Sequence, residues 1–254
     1  MKIDDSIVVD FLLGKEIKNS WIFESSGGYN APDKKNAVII KTVYERINSY
    51  LKSFKVKNEE LFVRLFKENY ANILNNMEVI LSVGCSYGAF FELHENKPYM
   101  VIDMGMLASY VKYDYDVVEV VRNILTQEIA HRCVGITTPY EDDFSYYEML
   151  SYSVYDDGIT SLLSYAEDSF KVDWNAEDIN KKFDEAKKTM TLAMYEKNEN
   201  EMSHWLDKTS GDDYWGRFSA VLGMIYFGKN LDNIEEIFNN DWHFIIDDIF
   251  KGNA

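Results

Sequence analysis

Residues Val117 to Gly135 read VVEVVRNILTQEIAHRCVG. Val117, Val120, Val121, Ile124 and Leu125 recur at helical spacing and form one apolar stripe, so the segment is a buried amphipathic helix. Inside it lies Gln127-Glu128-Ile129-Ala130-His131. This is HExxH with its first His replaced by Gln. HExxH works because positions i and i+4 share a helix face. Two imidazoles then hold one Zn²⁺ while the adjacent Glu reaches the metal-bound water. Here one imidazole, His131, and the base, Glu128, remain. An ExxH match is only four letters with two free, and an ordinary helix with a polar face produces it often. Its surroundings add to it: an apolar helix carries Gln, Glu and His on one face, directly after a run of strands.

Working outward, the upstream texture is extended. Glu78–Val83 (EVILSV), Ala89–His94 (AFFELH) and Tyr99–Asp103 (YMVID) are short and rich in β-branched, aromatic or aliphatic residues. Gly84, Gly88, Asn96, Pro98 and Gly105 punctuate them, which predicts three strands in a small meander. Further upstream, Ile40, Val43, Tyr44, Ile47, Leu51 and Phe54 fall on one helical face. A second helix is expected from Asn58, as N-cap, to about Asn75. Asp116 and Glu119 have capping-box spacing at the start of the motif helix. Downstream, helices are expected near Asp143–Glu167, Asn175–Glu196, Asp212–Phe227 and Asn233–Phe250. This order predicts an α+β chain, a single domain over 1–254. It comprises N-terminal helices (1–77), a sheet plus motif helix (78–135) and a helical part (136–254).

The helix after the motif carries Tyr155-Asp156-Asp157-Gly158-Ile159-Thr160, with Asp157 placed 26 residues past His131. An Asp-Asp-Gly run is usually a solvated kink or cap. Glu148 is a further acid on the same segment.

Composition bounds the rest. Among 254 residues, 26 are basic and 43 acidic, a formal net charge of −17, and 46% are hydrophobic. That is ample for a core and excludes disorder. The acidity and the lack of a basic stripe argue against nucleic acid. Two cysteines, Cys85 and Cys133, without metal-type spacing do not make a disulfide scaffold. The longest apolar-rich run, Phe218–Gly228, is well short of the roughly 20 residues that span a bilayer. MKIDDSIVVDFLLGKE, with two acids after Lys2, is a poor signal peptide. The expectation is a soluble, cytoplasmic chain with neither nucleic acid nor membrane as partner.

The succession of strand, glycine turn, strand, HExxH-like helix and acid-bearing helix resembles the gluzincin-like family of zinc-dependent peptidases. Tyr87-Gly88-Ala89, Gln127-Glu128-x-x-His131, Asp157-Gly158-Ile159-Thr160 and Tyr214-Trp215-Gly216-Arg217-Phe218 carry the resemblance, over roughly Glu78 to Phe227. It implies a zincin-like fold, with a small three-stranded sheet packed on the motif helix and a mainly helical C-terminal half. It also implies a zinc cofactor held by His131, weakly by Gln127 and by a third acid from the helix after the motif, Asp157 with Glu148 competing for the place, and it implies Glu128 as catalytic base and a peptide or protein as substrate. The departures all touch the metal. A Gln amide oxygen is a poor zinc ligand beside imidazole, and Asp is one methylene shorter than the family's Glu.

Three functions therefore compete: a zinc-dependent peptidase with a degenerate site, a non-catalytic peptide- or protein-binding protein on the same scaffold, and an acidic inhibitor or immunity-type protein. Other polar residues are weaker candidates. His94-Glu95-Asn96-Lys97-Pro98 has Pro where a second His belongs. His204 and His243 read as surface or interhelix histidines. Cys133 reads as a small core residue, and Tyr146, Tyr147, Tyr152 and Tyr155 read mainly as core, with one phenol available to an oxyanion.

Overall fold

The computed structural model describes residues 1–111, 113, 115–209, 211 and 214–252. Along the chain it forms β1 (Lys2–Asp4), α1 (Ser6–Leu12), α2 (Trp21–Ser25), α3 (Ala37–Leu51), α4 (Glu59–Phe66), α5 (Glu68–Asn76), β2 (Glu78–Ser82), β3 (Ala89–His94) and β4 (Lys97–Asp103). These are followed by α6 (Met104–Val111), α7 (Val117–Thr137), α8 (Tyr146–Tyr165), α9 (Glu177–Met194), α10 (Glu199–Thr209), α11 (Phe218–Lys229), α12 (Ile234–Asn239) and α13 (Ile245–Lys251). The chain is thus α+β and mainly helical, with one small mixed sheet. Among the described residues, no helix is long and apolar enough to cross a membrane. The chain divides into two compact units, Met1–Val56 with Ala71–Leu125, and Lys57–Tyr70 with Thr126–Ala254.

The first unit holds the sheet, and here the expected three-stranded meander is corrected. The sheet has four strands in the order β1-β2-β4-β3. β2 pairs in parallel with both β1 and β4, and only β3 and β4 are antiparallel. The physical reason lies in β2, where Val79, Ile80, Leu81 and Ser82 are all buried. A strand buried on both faces sits centrally and needs a partner on each edge. β1 supplies one through Lys2↔Glu78, Ile3↔Val79 and Asp4↔Ile80, but three residues are too few to show a strand period. The chain then leaves β2 through Gly84, at φ +104, where a side chain would run into Tyr29 and the Asn30 carbonyl.

Asp103, buried at the end of β4, ties this turn down. Its Oδ2 accepts from Gly84 N (2.6 Å) and Cys85 N (2.7 Å), and its Oδ1 accepts from Met106 N (2.8 Å). The β3–β4 turn uses Glu95 (φ 50) and Asn96 (φ 62), both left-handed as a two-residue hairpin requires. His94 stacks on Trp21 at 4.0 Å, so the His94-Glu95 pair belongs to a hairpin end. The α3 face is as its period predicts, with Ile40, Val43, Ile47 and Leu51 buried.

In the second unit α8 and α11 form the central pair. α8 starts on a complete capping box between Ser145 and Glu148. Several expected helices are shorter or broken. The helix expected from Asn58 to Asn75 is interrupted at Lys67 (φ 47) into α4 and α5. The expected start at Asp212 lies outside the described residues; from Tyr214 a single 3₁₀ turn precedes α11. Asn233–Phe250 resolves into α12, a 3₁₀ turn at Trp242–Phe244 and α13. Helix α10 lies outside the expected helices: Met202, Trp205, Leu206 and Thr209 share one face, but only Thr209 is buried and charged and polar residues surround them.

Asn58 does precede a helix, but its side chain does not cap it. The residue is buried and left-handed (φ 50). Its Nδ2 donates to the carbonyls of Leu163 and Ala166, both at 2.9 Å, and its Oδ1 accepts from Ser169 N at 2.6 Å. One side chain thus satisfies three backbone groups at the end of α8 and just beyond it. Asn58→Ala strands all three and places Ala in a conformation it tolerates poorly. The expected loss is about 3 kcal/mol, measurable by urea denaturation.

Candidate metal centre

Helix α7 presents Glu128 and His131 on neighbouring turns, because i and i+3 share a face. Helix α8 presents Ser153, Asp156, Asp157 and Thr160. Adjacent helical positions are about 100° apart, so Asp156 and Asp157 can flank one imidazole from two sides. His131 Nδ1 lies 3.0 Å from each Asp156 oxygen. One ligand atom each from His131, Asp156 and Asp157 falls within 4.8 Å of the others, the one such group of three among the described residues. All three are half-buried. The His131 side chain keeps 27% of its surface exposed, so solvent reaches it.

The electrostatics follow from three acids around one base. Burial disfavours the charged imidazole, but the charge and hydrogen bond of Asp156, with Asp157 and Glu128 behind it, outweigh this and lift His131 to about 9. Burial raises Asp157, against the pull of His131 and the Ser153 hydrogen bond. Burial also raises Glu128, against His131 and with added repulsion from Asp156. When protonated, the imidazole forms an ion pair with Asp156 that joins α7 to α8.

Thr160 Oγ1 lies 3.4 Å from His131 Nε2, so Asp156, His131 and Thr160 have the connectivity of a hydroxyl–imidazole–carboxylate triad. Thr160 is fully buried and its hydroxyl donates to the Asp157 carbonyl of its own helix (3.2 Å). No substrate carbonyl reaches it there, so it is not a nucleophile.

Of the two acids weighed from the sequence, the structure brings Asp157 to His131. Glu148 is elsewhere, at the start of α8. Its carboxylate accepts from Ser145 N (2.7 Å) and faces His243 Nε2 at 3.9 Å, and the Ser145 contacts hold it below the usual Glu range. Gln127 is half-buried one position before Glu128 and one turn from His131. His243 is engaged by Asp241 at 2.6 Å, and His204 is exposed on α10. Cys133 is buried, which pushes its thiol up to about 12. The four tyrosine hydroxyls have other partners: Tyr146 donates to Ala193 O, Tyr147 to Asp247, Tyr152 to Thr138 O and Tyr155 to Phe238 O.

Asp156 was not singled out from the sequence, although it stands in the quoted run. Its signal was the pair itself: two adjacent acids in the middle of a helix whose other residues are mostly buried. Gly158, beside them, is neither a kink nor a cap. It lies in mid-helix against Gly223 of α11. Comparison with family models, curated proteins and solved structures finds no match to this chain.

Proposed function

We propose that this cluster binds a divalent cation and that the chain is a gluzincin-like, zincin-type peptidase scaffold with a reduced metal set. The observation that carries the proposal is the convergence of His131, Asp156 and Asp157 within 4.8 Å. A nitrogen and two carboxylates at that spacing suit a small divalent ion, and the oxygen-rich set suits Mn²⁺ as well as Zn²⁺. His131, which must give up the proton it holds against Asp156, and Asp157 are the ligands, with Gln127 in the place of a second imidazole. Asp156 either completes the set or holds the ring through Nδ1. A divalent ion bound here would polarise a carbonyl and acidify a water. Glu128, one turn from His131 and raised by burial, would be the base toward such a water. Peptides and proteins are the substrate class that this scaffold implies.

A second function is favoured by one observation. The His131–Asp156 ion pair is complete without a metal, and Gln127 leaves the motif one imidazole short. A peptide- or protein-binding protein that has lost hydrolysis needs no more than this. Equilibrium dialysis of the full chain against Zn²⁺ and Mn²⁺ separates the two. The cation proposal expects about one equivalent of metal at saturation, lost in His131→Ala. Affinity should be weaker than that of a two-imidazole zinc site. Absence of binding at millimolar metal would leave only the non-catalytic function.

A further inference from the structure

We infer that Ser153 and Ser219 form a two-hydroxyl relay that orients Asp157 as a one-oxygen ligand, an inference that rests on the cation site proposed above. Ser153 Oγ lies 2.6 Å from Asp157 Oδ2 and 2.8 Å from Ser219 Oγ. A serine hydroxyl has one hydrogen, and an ionised carboxylate only accepts. Ser153 therefore donates to Asp157, and the remaining contact requires Ser219 to donate to Ser153. The direction of the chain is fixed: Ser219 to Ser153 to Asp157. This engages Oδ2, so a one-oxygen ligand would be Oδ1.

The relay is held from two helices. Ser153 is one turn before Asp157 on α8, so the bond is an i, i+4 contact on one face. Ser219 comes from α11 and is fully buried, so water does not replace it easily. What lets Ser219 reach α8 is the close passage of the two helices one turn further on, at Gly158 and Gly223. The residue pattern fits a positioning role: both residues are small, both are hydroxyls, and neither touches His131.

An anchored carboxylate loses less freedom on binding a metal, and partners of this kind are typically worth 10–100-fold in affinity. The test is titration of Zn²⁺ and Mn²⁺ into full-length wild type, Ser153→Ala, Ser153→Thr, Ser219→Ala and Asp157→Asn. Ser153→Ala should bind roughly 10–100-fold more weakly. Ser153→Thr keeps the hydroxyl and should recover most of the affinity. A purely structural role would not show that recovery, since threonine restores the donor but crowds the helix pair. Ser219→Ala leaves the Ser153–Asp157 bond in place and should fall between wild type and Ser153→Ala. It also carries the test if Ser153→Ala fails to fold. Asp157→Asn should bind least. Equal affinity of wild type and the two alanine variants, with binding lost in Asp157→Asn, overturns the relay and leaves the cation site standing. A wild type that binds neither metal overturns both.

Discussion

Gln127→His is expected to bind Zn²⁺ at least about 100-fold more tightly than the wild type, more than any outer-sphere change would give. The substitution restores HExxH on α7, with its two imidazoles at i and i+4. A neutral amide oxygen gives way to a nitrogen ligand, and the set becomes two imidazoles and an acid, as in catalytic zinc sites. The helix should accept it. Position 127 is half-buried, and Gln and His differ by only a few tenths of a kcal/mol in helix propensity. Calorimetric titration of both proteins reads the effect. Binding that is negligible in both would remove the peptidase lineage from consideration. Equally tight binding in both would mean that the wild type already has a full ligand set, with Asp156 in the missing place.

The second large effect concerns the scaffold. Gly223→Ala is expected to cost about 3 kcal/mol, the upper part of the range for overpacking a tight interior. A Cβ on Gly223 would meet the Val154 carbonyl oxygen and lie 2.8 Å from Gly158 Cα. These neighbours are backbone of α8, so relief requires the helices to separate. For a chain of this size that loss lowers Tm by roughly 6–12 °C, measurable by calorimetry. The same separation should draw Ser219 away from Ser153, so cation affinity should fall together with stability. Leu192→Ala, on an exposed position of α9, serves as the control and should change neither.

Both sites could be read only partly in the sequence. The helices with a clear apolar period, α3, α7 and α9, are legible because burial writes itself at 3.6-residue spacing. The sheet was legible as strands but not as topology. Hairpin punctuation around Glu95 and Asn96 marks β3–β4, whereas nothing local in EVILSV says that β4 rather than β3 lies beside it. The residues Lys2–Asp4 show no period at all. At the site, Glu128 and His131 are accessible through spacing within one helix, and Asp157 through the acid that the resemblance expects on the next. Asp156 was overshadowed by its neighbour, since a sequence cannot show which of two adjacent carboxylates leans toward a ring on another helix. Ser153 and Ser219 lie 66 positions apart and carry no motif. Their pairing depends on the passage of α8 past α11 at Gly158 and Gly223, a contact encoded by small side chains that also look like loop punctuation. Asn58 was seen as a cap because Asn before a helix usually is one; its left-handed backbone turns the amide toward the end of α8 instead.

The central claim is that a divalent ion sits between α7 and α8 at His131 and Asp157. The measurement that tests it most directly is anomalous X-ray diffraction from crystals of the full chain grown with Mn²⁺. The account predicts an anomalous peak within coordination distance of both a His131 ring nitrogen and an Asp157 carboxylate oxygen, absent in His131→Ala crystals. A protein saturated with Mn²⁺ that shows its peak elsewhere, with His131 still paired to Asp156, would contradict it.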